Sequence, residues 1–215
     1  MKVGGIIIEN SCLMFNEWRD RYEKMSYRDN IDFHNQMESM YPNQAHFKAD
    51  NVITALDLIG KPFKVLEFGG WKGDLAFAMM VHYGDAIIDW VNIEICEAAI
   101  NKTIYPSKKY RIIKPHRFDW FAEERVEKPD VIVATHFIEH ISNEHFELLA
   151  RYVSGVPVIY FESPMEDDGQ SWDGYMGTHK LTYGWNDAKR IMEHHGYSSI
   201  DLKQGKIFLL KEDRD

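Results

Sequence analysis

Three glycines and two acids are the residues of this 215-residue sequence whose types and spacing most directly suggest chemistry. Gly69, Gly70 and Gly73 follow the apolar run 63–68, and Glu67 stands just ahead of them. A glycine turn between a strand and a helix lets a ligand approach the backbone closely and meet free N–H groups. The order of the residues narrows the ligand. There is no G-x-G-x-x-G, as a dinucleotide loop requires, and no G-K-[ST] follows, as a P-loop requires. Glu67 would repel a pyrophosphate and attract an amino group. Glu94 closes the next apolar run, where a carboxylate can accept both hydroxyls of a ribose laid across the strand ends. Asp119, after the third run, can accept from an adenine amino group, with Ile95, Phe118 and Trp120 available to sandwich the ring.

Histidine supplies the second group, because imidazole titrates nearest to neutrality and suits proton removal from a hydroxyl. His136, Glu139 and His140 follow the fourth strand in THFIEH (135–140), and His179 lies in the long segment 163–184. HFIEH matches the H-x-x-E-H of some zinc proteases, but that motif works within a helix and with a further ligand. Here it sits at a strand end, and no metal is assigned. The segment 163–184 carries Trp172, Tyr175, Met176 and Tyr183 among Glu166, Asp167, Asp168 and Asp173. Loops of this length usually carry function. Aromatics among carboxylates suit a sugar, an amine or another polar small acceptor; the alternative is a solvated acidic loop with its aromatics folded beneath it. His194 and His195, near a helix end, suit a surface role beside the helix dipole.

These residues need elements to position them. Apolar runs at 63–68, 86–94, 110–116, 129–137 and 156–163 read as strands, alternating with helical patterns at 74–84, 95–105 and 142–155. Such alternation implies a parallel sheet covered on both faces. A late helix over 185–196 and a hairpin around Gln204 and Gly205 imply an antiparallel edge. Before this lie three helical segments, 15–25, 27–41 and 44–60, the last stopped by Gly60 and Pro62. The chain is therefore expected to divide into a helical N-terminal extension or cap (1–62) and an α/β domain (63–215).

Taken together, VLEFGGWKG, VNIE and PDVIVATHFIEHI resemble the first, second and fourth-strand motifs of the class I S-adenosylmethionine-dependent methyltransferases, and 185–210 resembles their usual ending. The resemblance covers about two thirds of the chain. It implies a Rossmann-like, seven-stranded, mostly parallel sheet with an antiparallel C-terminal hairpin and a helical N-terminal cap. S-adenosylmethionine is the implied cofactor, held by Glu67, Phe68, Gly69, Gly70, Trp71, Gly73, Glu94, Ile95, Asp119, Trp120 and His136. His136, His140 and His179 are the candidates for acceptor positioning or proton removal. Some members with Glu-His after the fourth strand, small-RNA end methyltransferases among them, hold a divalent ion there, whereas the same residues elsewhere cap the following helix. The sequence departs from the family at Trp71, where the middle glycine is expected. The indole either caps the methionine end of the cofactor or packs against the N-terminal helices. DNA-base methyltransferases carry D/N-P-P-Y/F after the fourth strand, so THFIEH disfavours that substrate class.

Bulk properties agree. Hydrophobic residues make up 45% of the chain and the net charge is −9, which suits a packed core and argues against general nucleic-acid binding. Cys12 and Cys96 are expected to be buried thiols of a reducing compartment. Ile6–Ile8 is too short for a signal-peptide core, so a cytoplasmic location without membrane attachment is expected. The resulting expectation is methyl transfer to a small-molecule acceptor, most simply the hydroxyl of a sugar or secondary metabolite. The rival is a non-catalytic cofactor-binding scaffold that retains the fold. The absent G-x-G and the acid at Glu67 predict that calorimetry will detect binding of S-adenosylhomocysteine and none of NAD.

Overall fold

The computed structural model describes residues 49–103, 105–115, 127–167, 181, 183–203 and 205–211. Of the three N-terminal helical segments expected from sequence, only the end of the third falls within this range, as α1 (Ala49–Asp57). There follow β1 (Phe63–Phe68), α2 (Asp74–Tyr83), β2 (Ile87–Ile93), α3 (Glu97–Asn101), β3 (Tyr110–Ile113), β4 (Val131–Thr135), α4 (Asn143–Val153), β5 (Val158–Glu162), α5 (Trp185–His194), β6 (Tyr197–Leu202) and β7 (Gly205–Leu210). β1 has the bounds of its apolar run, whereas β2 to β5 are shorter than theirs by one to three residues at one or both ends. Pro115 lies beyond β3, and the His136–Phe137 pair lies beyond β4.

The seven strands form one sheet in the order β3-β2-β1-β4-β5-β7-β6. β3, β2, β1, β4 and β5 run parallel, and β7 joins β5 and β6 antiparallel. The order reverses direction between β1 and β4, and ligands of open α/β sheets sit at the carboxyl ends of the strands beside that reversal. The loop after β1 and the turn after β4 therefore meet there.

Period-2 alternation divides the sheet's side chains between two cores. Leu66 and Phe68 of β1, Val91 and Ile93 of β2, Ile132 and Ala134 of β4, and Ile159 and Phe161 of β5 pack against α4 and α5. Phe63 and Val65, Trp90, Val131 and Val133, and Val158 and Tyr160 pack against α1 and α2. β4 and β5 are buried at every position, as both-face coverage of a parallel sheet requires. The same parity puts Glu67, Asn92 and Glu162 on the α1/α2 face of strands that are otherwise apolar there.

The helices begin where local chemistry allows. Gly73, at φ 83°, turns the chain into α2, with Asp74 in the first turn favouring the helix dipole. Ser142 caps α4 by accepting the His145 N–H. The Asp187 carboxylate accepts the Gly184 N–H at the start of α5. The hairpin is tied to the end of α4 by Tyr197, whose buried hydroxyl lies 2.8 Å from the Val153 carbonyl and 3.0 Å from that of Val156. Among the described residues no helix is long and apolar enough to cross a membrane.

Tyr197→Phe should therefore leave the sheet intact and cost about 1–2 kcal/mol, since buried carbonyls lose their donor. Urea unfolding of the two proteins measures the difference.

Candidate functional site

The loop after β1 is shaped from below by side chains of β1, β2 and β3. Gly70 donates its N–H to Asn92 Oδ1 at 2.9 Å, and Trp71 donates its own to Glu94 Oε2 at 2.8 Å. Asn92 Nδ2 in turn donates to the Tyr110 hydroxyl at 2.9 Å. Glu67 lies beneath the loop and accepts from Trp90 Nε1 at 2.7 Å. A Cβ added at Gly70 would fall 2.6 Å from Asn92 Oδ1 and against the Glu67 carboxyl, and one at Gly73 would fall 2.7 Å from the Tyr110 hydroxyl. Glycine is required at both places by contact, and at Gly73 by conformation as well.

Trp71 adopts φ 50°, within the left-handed region that glycine usually occupies. The departure from the family's glycine pattern is thus a change of residue with the glycine-like backbone kept. Its N–H bond to Glu94 helps hold that conformation. The indole Nε1 is buried with no hydrogen-bond partner among the described residues.

Glu94, just past β2, is 4% exposed and also accepts from Cys96 N at 2.7 Å. Burial raises its pKa, opposed by the backbone N–H groups of Cys96, Trp71 and Ile95. An ionised carboxylate has about four acceptor positions, so capacity for a ligand hydroxyl remains. Glu67 is 1% exposed, and its Oε1 has no partner among the described residues. Burial pushes its pKa up to about 8; the Trp90 N–H opposes this, and the charges of Glu94 and Asp74 add to it.

Across the reversal, the turn after β4 touches the loop. Phe137 stacks on Phe68 with ring centroids 5.4 Å apart, and its side chain would lie 3.2 Å from a Cβ on Gly69. His136 precedes it at φ 51°, an uncommon conformation for a residue with a side chain. Its backbone N–H donates to the Glu162 carbonyl at 2.8 Å. The ring places Nδ1 3.1 Å from Glu139 Oε1 and Nε2 3.7 Å from Glu162 Oε1. His140 closes the short 3-10 turn Ile138–His140 and is partly exposed. Leu181 donates its N–H to the Glu139 carbonyl, which ties the chain at 181 to this turn, and Trp185, at the start of α5, donates to the Glu166 carbonyl.

The structure brings Glu67, Phe68, Gly69, Gly70, Trp71, Gly73, Glu94, Ile95, His136 and His140 to the carboxyl edge of adjacent strands. Asp119, Trp120 and His179, with Phe118, lie outside the described residues. Sequence reading passed over Trp90, Asn92, Tyr110 and Glu162. A signal for Glu162 was present: like Glu67, it is an acid at the carboxyl end of a largely apolar strand. Among the described residues no group of three or more His, Cys, Asp or Glu side chains is arranged to hold a metal ion.

Residues 14–198 match a family model described as a methyltransferase domain. No curated protein matches the chain. Human N-acetylserotonin methyltransferase, solved in complex with SAM, is similar in structure at a TM-score of 0.62 and 13% identity, over 87% of this chain and 57% of its own. CalO1, a methyltransferase of calicheamicin biosynthesis solved with SAH bound, gives 0.58 at 10% identity, over 94% and 70%. NodS, an N-methyltransferase from Bradyrhizobium japonicum solved with S-adenosyl-L-homocysteine, gives 0.57 at 12% identity, over 76% and 85%. The chain thus spans little more than half the length of the human enzyme, and at these identities the likeness is one of fold.

The buried Glu67 carboxyl makes stability depend on pH in a definite direction. Its pKa is about 8 in the folded protein against 4.5 as the ordinary value, so between these pH values the folded state holds more protons than the unfolded state. Its contribution therefore falls as pH rises across that window, by at most about 1.4 kcal/mol per pH unit. Glu67→Gln should flatten this slope, as read from urea unfolding at pH 5, 6, 7 and 8.

Proposed function

The chain belongs to the methyltransferase-domain family, and we propose that it transfers a methyl group to the hydroxyl of a small molecule such as a sugar or secondary metabolite. S-adenosylmethionine is the methyl donor. When bound, it supplies an electrophilic methyl group on a positively charged sulfur.

The residues present fit this cofactor. Gly70, where a Cβ would collide with Glu67 and Asn92, lets the loop lie tightly over the strand ends at which the cofactor would approach. Glu94 offers acceptor capacity for ribose hydroxyls at the end of β2. Glu67 Oε1, buried and unpartnered among the described residues, offers a carboxyl toward an amino group. Asp119 and Trp120 remain proposals for the adenine side of the site. Within this reading the residues act by binding and orienting. The loop fixes the cofactor, the turn after β4 sets the acceptor beside it, and in-line geometry lowers the barrier by alignment.

The observation that carries the hydroxyl reading is His136, a half-buried imidazole held in a strained backbone conformation where β4 meets the glycine loop. Proton removal is needed for a hydroxyl acceptor, and imidazole performs it near neutral pH. His140 and His179 stay as further candidates for positioning the acceptor.

The test is transfer of label from methyl-tritiated S-adenosylmethionine to a panel of monosaccharides and phenols, with primary amines of similar size beside them. Label on oxygen is expected; label on nitrogen alone would overturn the reading, and no transfer to any acceptor class would favour the scaffold reading. Glu94→Ala should weaken S-adenosylhomocysteine binding by about 10-fold or more in calorimetry, since hydrogen bonds to a charged group contribute about 1.5–3 kcal/mol. Unchanged affinity in the folded variant would remove Glu94 from the ribose role.

A further inference from the structure

We propose that the indole N–H of Trp71 is the donor that holds the carboxylate at the amino-acid end of the cofactor. The inference rests on S-adenosylmethionine as the methyl donor and not on the nature of the acceptor. A glycine loop ordinarily meets an anion with its own backbone N–H groups. In this loop those groups are already engaged. Gly69 donates to the Ile93 carbonyl at 2.8 Å and Gly73 to the Gly70 carbonyl at 2.9 Å. Gly70 donates to Asn92 Oδ1 at 2.9 Å and Trp71 to Glu94 Oε2 at 2.8 Å. A ligand anion beside these residues therefore needs a donor from a side chain.

Trp71 supplies one. Its Nε1 is shielded from solvent and has no hydrogen-bond partner among the described residues, while the residue as a whole is half-buried. A buried N–H without an acceptor is destabilising, and such groups are uncommon in native structures. The backbone adds a second cost. At φ 50° a bulky residue occupies a region that glycine adopts without strain. Two costs at one residue, in the loop that meets the cofactor, point to a function there. Solvent does not reach Nε1, so its partner is a group that the loop packs around, as a bound cofactor is.

The neighbours select the carboxylate. Glu67 Oε1, on the other side of Gly69 and Gly70, is likewise buried without a partner among the described residues. The two atoms are of opposite sense, an acceptor before the glycines and a donor after them. An α-amino acid carries both complements, an ammonium for Glu67 and a carboxylate for Trp71, and the cofactor presents the two together. The start of α2 adds to this. Its N-cap residue, Gly73, has no side chain to accept the first-turn N–H groups, and the positive end of the helix dipole favours an anion. Asp74 in that turn opposes the charge, but it is exposed and solvent screens it. Glu94 stays with the ribose, since its Oε2 already accepts the Trp71 backbone N–H.

The experiment is calorimetric titration of wild type, Trp71→Phe and Trp71→Gly with two ligands. One is S-adenosylhomocysteine. The other is its decarboxylated analogue S-adenosyl-3-thiopropylamine, which keeps the amine and lacks the carboxylate. Trp71→Phe removes the N–H and keeps an aromatic ring. Trp71→Gly suits the positive φ and replaces W71F if that variant does not fold. Wild type should prefer S-adenosylhomocysteine over the analogue by about tenfold or more, as a hydrogen bond to a charged group implies. In both variants the ratio of the two affinities should fall to within about twofold of unity. In NMR spectra of wild type, the Trp71 indole N–H signal, assigned by its absence from a variant, should move downfield with S-adenosylhomocysteine and stay near its unliganded position with the analogue. A ratio that survives in the variants, or an indole signal that responds alike to the two ligands, overturns the inference, while binding of S-adenosylhomocysteine by wild type leaves the cofactor reading standing. Wild type that binds neither ligand overturns both.

Discussion

Two backbone N–H groups, donated to one side chain of β2 and one just past its end, are the constraint on which the site depends. Gly70 gives its N–H to Asn92 and Trp71 gives its own to Glu94. Parallel strands leave their carboxyl ends without partners, and a loop leaving β1 has many paths open to it. These bonds choose one. They fix the loop over β2, where Glu94 already stands, and they force Gly70 against Glu67 so closely that no side chain fits. The loop's shape and the placing of its acid are thus one fact. Burying Asn92, Glu94 and Glu67 is costly unless each is bonded. Trp90, Tyr110 and the loop's own N–H groups meet most of that requirement, and one oxygen of Glu67 is left without a partner among the described residues.

The same economy appears on the other side of the topological reversal. β5 ends in Glu162 on the same sheet face as Glu67, and the turn after β4 brings His136 and Glu139 to it. Phe137 joins the two halves by stacking on Phe68 while crowding Gly69. A displacement of the turn would therefore be felt in the loop, and the reverse. This mechanical link is what a transfer reaction needs, since donor and acceptor must be aligned to a fraction of an ångström.

The fold was legible because alternating apolar runs and helical patterns have few topological solutions. The parallel sheet and the antiparallel hairpin followed from 63–163 and from the turn at Gln204–Gly205. The glycine loop, Glu67 and Glu94 were legible from type and order. The supporting residues were not, because Trp90, Asn92 and Tyr110 look like ordinary members of apolar strands and their role appears only when β2 lies between β1 and β3. The juxtaposition of Glu162 with His136 was hidden for a related reason: the two are 26 positions apart in the numbering, and only the pairing of Thr135 with Glu162 places them together. The ends of β2 to β5, though not of β1, were read too long, since a run of apolar residues does not reveal where backbone pairing stops. At Trp71 sequence logic expected glycine, and the structure keeps the glycine-like backbone with an aromatic in place.

The central claim is that the packed, N–H-anchored loop is itself the cofactor-binding determinant. Gly70→Ala tests it most directly, because a single methyl group there must displace Glu67 or Asn92. Calorimetric titration of the folded variant with S-adenosylhomocysteine should show an affinity at least about 100-fold below wild type, or about 2.7 kcal/mol. Wild-type affinity in a folded Gly70→Ala protein would contradict the account.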